Sequence, residues 1–235
     1  MAASELFERA VSLVFPQKCF SCTASTDYDS LFCQSCPHKT VGRLLLPFEH
    51  RLSGVGAVHR YKGQGRRIVW ALKAGKPLRM RILLASQMHR LAALLWPGVH
   101  FDVIVPVPST RAALRQRGFN HSQLLAQELS KKLKVPVCRG ALVRDEASLV
   151  QHSLNRAMRK ENAQRSFGVG SPGLVSGKRV LLVDDLITTG HTVAACGACL
   201  LQAGASEVFA LCASATPTPG ASTGTTGHRP ALVVQ

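Results

Sequence analysis

The stretch 179–192 reads Arg-Val-Leu-Leu-Val-Asp-Asp-Leu-Ile-Thr-Thr-Gly-His-Thr. Four apolar residues, Val180 to Val183, run into two adjacent carboxylates, Asp184 and Asp185. A turn of Thr188, Thr189, Gly190, His191 and Thr192 follows, then a small-residue helix from Val193 to Ala203 closed by Gly204. This pattern predicts a buried parallel strand that delivers acidic groups to the C-terminal edge of a sheet, where open α/β sheets bind ligands. The turn offers backbone N–H groups and hydroxyls, and the helix behind it presents its positive dipole end, a combination that suits a phosphate. Carboxylates beside a phosphate cradle fit a sugar phosphate. Its hydroxyls would bond Asp184 and Asp185, and its 5′-phosphate would sit in Thr188 to Thr192. Helix capping alone needs one polar residue at such a turn. Here five polar or glycine positions stand in register.

A second chemistry lies near the N-terminus. Cys19-x-x-Cys22 and Cys33-x-x-Cys36 are separated by ten residues. Each Cys-x-x-Cys turn points two thiolates at one ion, and two turns complete a tetrahedral all-sulfur site. Four protein ligands leave no open position, so a zinc ion here would be structural. A segment of ~20 residues has no core of its own and would depend on the metal to fold. Paired disulfides or free thiols are the alternative, and His38 is a less regular substitute for Cys36 as a ligand. Cys196 and Cys199 repeat the spacing inside the helix after the threonine turn, and read there as small buried residues.

The elements that must position these groups follow from periodicity. Leu6, Phe7, Ala10, Val11 and Val14 fall at helical spacing, so Ser4 to Val14 is expected to be a short amphipathic helix. Gly54 to Tyr61 reads as a strand; Gln64 to Ala74 and Leu78 to Trp96 read as helices. Phe101 to Val107 is a strand running into a Pro-Val-Pro-Ser turn, Ser122 to Leu133 a helix, and Val135 to Val143 a strand. Gln151 to Phe167 is polar and reads as loop plus short helix. Arg179 to Val183, Val193 to Ala203 and Val208 to Ala213 complete strand, helix, strand. This alternation predicts a parallel sheet with crossover helices. After Thr216 the chain turns to Pro, Gly, Ser and Thr and cannot bury enough apolar surface to order itself. The expected partition is an N-terminal helix and cysteine module over 1–45, an α/β domain over 46–216, and a disordered tail over 217–235.

Composition bounds the partners. The chain has 235 residues, of which 46% are hydrophobic, enough for one α/β domain with a small appendage. No apolar run reaches the ~20 residues of a membrane helix. Glu5, Glu8 and Arg9 interrupt the N-terminal apolar residues, unlike a signal peptide, so the expected location is cytoplasmic. The net charge is +16, from 29 Lys+Arg against 13 Asp+Glu. Such an excess suits polyanionic partners, either a multiply phosphorylated substrate or nucleic acid, or else is a generally basic surface.

The Asp184-Asp185 pair followed by Thr188-Thr189-Gly190-x-Thr192 resembles the phosphoribosyl pyrophosphate (PRPP) motif of type I phosphoribosyltransferases. With the cysteine module fused in front, the chain resembles the ComF family of competence-type phosphoribosyltransferase homologues from about Pro16 to Ala215. Two further segments carry that resemblance. One is the Pro-Val-Pro-Ser turn leading into Arg111, Arg115, Arg117, Gly118, Phe119 and Asn120. The other is the run Gln151, Leu154, Arg156, Arg159 and Asn162, which resembles the family's Gln-Thr-Gly-Leu-Ser segment with His152, Ser153 and Asn155 substituted. His121 stands where the family usually has Gln, and Lys73 matches a basic position of its hood region.

The resemblance implies a type I phosphoribosyltransferase-like parallel sheet flanked by helices, with a small N-terminal four-cysteine zinc module. It implies PRPP bound by Asp184, Asp185, Thr188, Thr189, Gly190, His191 and Thr192, with Pro108, Ser109 and Arg111 on the pyrophosphate. Arg115, Gly118, Phe119, Asn120, Gln151, Arg156, Arg159 and Asn162 would form a mobile cover, and Arg117 would join the two aspartates in catalysis. Arginine forks suit pyrophosphate, although each is also explained as a solvated loop charge. Mg²⁺ would accompany PRPP, and Zn²⁺ would hold the cysteines. Hypoxanthine-type purine enzymes carry an Asp where Thr188 stands, so the general base of purine salvage is missing. The implied activity is phosphoribosyl transfer, a glycosyltransferase reaction, to an unidentified acceptor. The competing expectation is a non-catalytic accessory of DNA uptake, bound to single-stranded DNA or to the uptake machinery. A homo-oligomer stays open.

Overall fold

A computed structural model describes residues 17–20, 22–26, 31–36, 40–43, 51–74, 78–144 and 166–216. The expected helix over Ser4 to Val14, the polar segment Gln151 to Arg165, His38 and the tail 217–235 lie outside the described residues.

Two short strands, β1 (Gln17–Lys18) and β2 (Ser25–Thr26), form an antiparallel hairpin in the cysteine module. The main sheet has five strands in the order β3 (Thr40–Arg43), β4 (Gly54–Arg60), β9 (Glu207–Ala215), β8 (Arg179–Ile187), β5 (Val103–Pro106). β4, β9, β8 and β5 run parallel; β3 adds an antiparallel edge. The helices are α1 (Gln64–Lys73), α2 (Leu78–Leu95), α3 (Arg111–Arg117), α4 (His121–Leu133) and α5 (His191–Gln202).

Strand alternation divides the core into two layers. Leu181 and Val183 of β8 pack with Ile68 and Leu72 of α1, Leu84 of α2 and Leu125 of α4. Val180 and Leu182 face the other way and pack with Val193, Cys196 and Leu200 of α5. β8 is buried on both faces, which is why its sequence is a continuous apolar run rather than an alternating one. Trp96, Phe101 and Phe209 meet edge to face at 5.1–6.0 Å and anchor the end of α2 against the sheet.

Two expectations are corrected. β8 does not stop at Val183 but continues through both aspartates to Ile187, paired with β9 as far as Ile187↔Ala215. Val135 to Val143 is not one strand of the sheet. It makes a single parallel bridge, Ile104↔Val137. The chain then turns away to form β6 (Leu142–Arg144), antiparallel to β7 (Phe167–Val169), as a separate ribbon. Pro136 has no N–H to extend the pairing back toward Val135, and Pro106 has none to continue it past Cys138.

The cysteine module packs against this domain. Leu31 and Phe32 are buried in the same layer as Val58 and Ile68. The Phe32 ring meets His59 edge to face at 5.9 Å, and His59 in turn bonds Gln87 of α2 at 2.9 Å.

Candidate functional site

The C-terminal end of β8 gathers the charged groups. Pairing with β5 ends at Pro106↔Val183, so Asp184 and Asp185 lie just past the last paired residue on that flank. Val107 then donates its N–H to the Val183 carbonyl at 2.9 Å, which sets the turn of Pro108 and Ser109 beside the aspartates. Both aspartates are buried, at 7% and 8% exposure. Asp184 Oδ1 accepts from Ser122 Oγ at 2.8 Å and from the Asp185 N–H at 2.9 Å. Asp185 Oδ2 lies 3.8 Å from Lys73 Nζ of α1 and has no hydrogen-bond partner among the described residues.

Burial and then the neighbouring Asp185 charge push the Asp184 carboxyl up to about 8. Two carboxylates side by side in a desolvated place do not both ionise easily. A cation or a set of donors arriving with a ligand would relieve that cost.

Past Ile187 the chain forms the threonine turn. Thr188 and Thr189 are exposed, while Gly190 is buried with φ +86° and begins α5 without a side-chain cap. That left-handed φ favours glycine. An uncapped helix start presents backbone N–H groups toward the turn. His191 and Thr192 form the first turn of α5, half-buried.

The segment after Ser109 is a helix, α3, capped by Thr110, whose Oγ1 accepts from the Ala113 N–H at 3.0 Å. Arg111 and Arg115 lie exposed on it. Gly118 ends α3 with φ +80°, and Asn120 caps α4 by accepting the Ser122 N–H at 3.0 Å. Asn120 Nδ2 also donates to the Val107 carbonyl at 2.9 Å, tying α4 to the Pro-Val-Pro turn. Arg117 donates to His121 Nε2 at 2.9 Å, and the Phe119 ring meets His121 edge to face at 5.8 Å.

The structure therefore brings Asp184, Asp185, Arg117, Pro108, Ser109 and the threonine turn toward one end of the sheet. Arg111, Arg115, Gly118 and Phe119 belong to the adjoining helix and its end. Gln151, Arg156, Arg159 and Asn162 lie outside the described residues. Three participants were not assigned these partners by sequence reasoning: Ser122, His121 and Lys73. The first two sit at a helix start, where polar residues read as caps; Lys73 is one of many lysines and arginines.

At the module, the Cys19, Cys22, Cys33 and Cys36 sulfurs all lie within 4.8 Å of one another, with Cys22 and Cys33 at 3.5 Å. None of the four is in a disulfide. Zn–S bonds of about 2.3 Å in a tetrahedron put sulfurs about 3.8 Å apart, so the cluster has the size and donor set for zinc. Cys196 and Cys199 are buried in α5, as expected for packing residues. Burial raises both thiols, which keeps them protonated and unreactive.

This sheet and its helices form a phosphoribosyltransferase-like α/β domain, and the family model described as a phosphoribosyl transferase domain matches residues 117–221. The DNA utilization protein YhgH of Escherichia coli (strain K12) is 33% identical over 213 residues, covering 83% of this chain and 88% of that protein. Competence protein F of Haemophilus influenzae is 32% identical over 108 residues, 46% of this chain and 47% of that one. Competence protein ComFC of Bacillus subtilis is 30% identical over 110 residues, 47% and 42% of the two chains. The chain belongs to the ComF family. Among the described residues no helix is long and apolar enough to cross a membrane.

Proposed function

We propose that this protein binds PRPP with Mg²⁺ at the end of β8 and transfers its phosphoribosyl group to an acceptor. The observation that carries this reading is a pair of buried carboxylates on one strand, followed within one turn by an uncapped helix start at Gly190. Asp184 and Asp185 take the ribose hydroxyls. Thr188, Thr189, Gly190, His191 and Thr192 take the 5′-phosphate. Pro108, Ser109 and Arg111 hold the pyrophosphate, and Arg117 stabilises charge as it leaves. Arg115 to Asn120, with Gln151, Arg156, Arg159 and Asn162, cover the site and exclude water, without which PRPP would hydrolyse. Magnesium is held mainly by the substrate's own oxygens. Zinc on Cys19, Cys22, Cys33 and Cys36 is structural, and the partition 1–45, 46–216 and 217–235 describes module, domain and tail.

The first test is calorimetric titration with PRPP, with and without Mg²⁺. Magnesium-dependent binding is expected. Asp185→Asn keeps the shape, removes the charge, and is expected to weaken binding about tenfold or more with little change in melting temperature. Unchanged affinity would sink the ribose assignment.

A second reading is supported by the +16 charge and by the names of the relatives, a DNA utilization protein and two competence proteins. In it the protein is an accessory of DNA uptake that keeps the PRPP fold as a sensor or scaffold. Turnover with some acceptor favours the first reading; PRPP binding without turnover favours the second.

A further inference from the structure

The imidazole of His121 is buried, at 5% exposure, at the start of α4. Its Nε2 lies 2.9 Å from an Arg117 guanidinium nitrogen. A guanidinium can only donate, so Nε2 must accept and the ring proton must sit on Nδ1. That Nδ1–H is a buried donor without a partner among the described residues. Asp185 Oδ2 is a buried acceptor in the same position. The two groups belong to one neighbourhood. The imidazole feels the charges of Asp185, Arg117 and Lys73, and Lys73 Nζ stands 3.8 Å from Asp185 Oδ2, too far for a hydrogen bond. The residue after His121, Ser122, already bonds Asp184.

A buried donor and a buried acceptor left open at the same end of the sheet are costly, because buried polar groups in native proteins are normally paired. One group that satisfies both at once is a hydroxyl, which donates one hydrogen bond and accepts others. We propose that His121 Nδ1–H and Asp185 Oδ2 together bind one hydroxyl of the sugar phosphate, the hydroxyl donating to the carboxylate and accepting from the imidazole. His121 is then a specificity-determining residue that distinguishes ribose from a deoxy sugar. Arg117 contributes by holding the ring in the tautomer that leaves Nδ1 protonated. The inference rests on the sugar-phosphate reading above.

The test is titration of the full chain with ribose 5-phosphate, 2-deoxyribose 5-phosphate and 3-deoxyribose 5-phosphate. The wild-type protein is expected to prefer ribose over one of the two deoxy sugars by about tenfold or more, since the analogue leaves two buried groups unpaired. H121A should lose most of that preference and keep the preference at the other hydroxyl. H121N, whose amide nitrogen can stand near the Nδ1 position, should restore it. Undiminished preference in H121A overturns the proposal, as it would if a fixed water bridged the two groups instead. Equal binding of all three sugars overturns it while leaving the phosphate site standing; no binding of any sugar overturns the proposal together with the sugar-phosphate reading it rests on. Nitrogen NMR of the wild-type imidazole gives an answer that needs no variant. A protonated Nδ1 that shifts on adding ribose 5-phosphate supports the proposal, and an Nε2–H tautomer or an unmoved resonance overturns it.

Discussion

Burial first, and then the charge of Asp185, push the Asp184 carboxyl up to about 8, so a proton on Asp184 is expected at neutral pH in the ligand-free site. In the unfolded chain the same group has its ordinary value of 3.8. Between those values the folded state holds a proton that the unfolded state has released. Its contribution to stability is therefore full below about pH 4, declines as pH rises, and is lost by about pH 8. Asp184→Asn removes this titration. Melting temperatures across that window should fall less steeply with pH in the variant than in the wild type. Parallel profiles would mean the carboxyl is ionised throughout and the burial argument fails. Ser122 bears on the same group. Ser122→Ala removes a donor to buried Asp184, and the expected cost is about 1–3 kcal/mol, read from denaturant unfolding.

Two elements depend on features outside ordinary packing. The cysteine module has few apolar residues of its own, but Leu31 and Phe32 are buried against the main domain. About one zinc per chain is expected by metal analysis. A strong chelator should lower the melting temperature and raise the binding of a hydrophobic dye as Leu31 and Phe32 are uncovered. A metal-free preparation with the four cysteines oxidised in pairs would refute the all-sulfur site. The other element is α1. A Cβ on Gly65 would come within 1.9 Å of the Arg60 carbonyl, and Ser214 Oγ of β9 donates to the Gly65 carbonyl at 3.3 Å. Backbone cannot yield as a side chain does. Gly65→Ala should therefore cost more than the ~1–3 kcal/mol of ordinary overpacking, although alanine is the better helix former. Because α1 also carries Lys73 toward Asp185, the same change should weaken PRPP binding.

At the scale of the whole molecule the +16 charge is the dominant property. It favours association with polyanions over a range of about 10 Å at 0.1 M salt. If the second reading holds, single-stranded DNA binds, and its affinity falls linearly on a log–log plot with salt. Fluorescence anisotropy of a labelled oligonucleotide at several salt concentrations measures this. No binding at low salt would remove the nucleic-acid reading and leave the small-molecule one. PRPP competing for the oligonucleotide would place both on one surface.

The strand-to-helix motif at 179–204 and the paired cysteines are legible in the sequence because their geometry is local. A buried run, two carboxylates and a glycine-containing turn occupy neighbouring positions, and covalent spacing alone keeps them together. The alternation of elements likewise determined a largely parallel α/β sheet. Partner choice is not local. Pro136 breaks a promising apolar run, and only the competition between sheet edge and ribbon sends Leu142–Arg144 to pair with β7. Ser122 reaches Asp184 across 62 positions, and Lys73 approaches Asp185 from α1, an element far earlier in the chain. The tautomer of His121 follows from where one guanidinium comes to rest. Sequence determined which groups stand at the end of β8. Tertiary structure decided which of them are desolvated, which are paired, and which buried donor and acceptor are left open, because burial and hydrogen bonding depend on segments that meet only after the chain has closed.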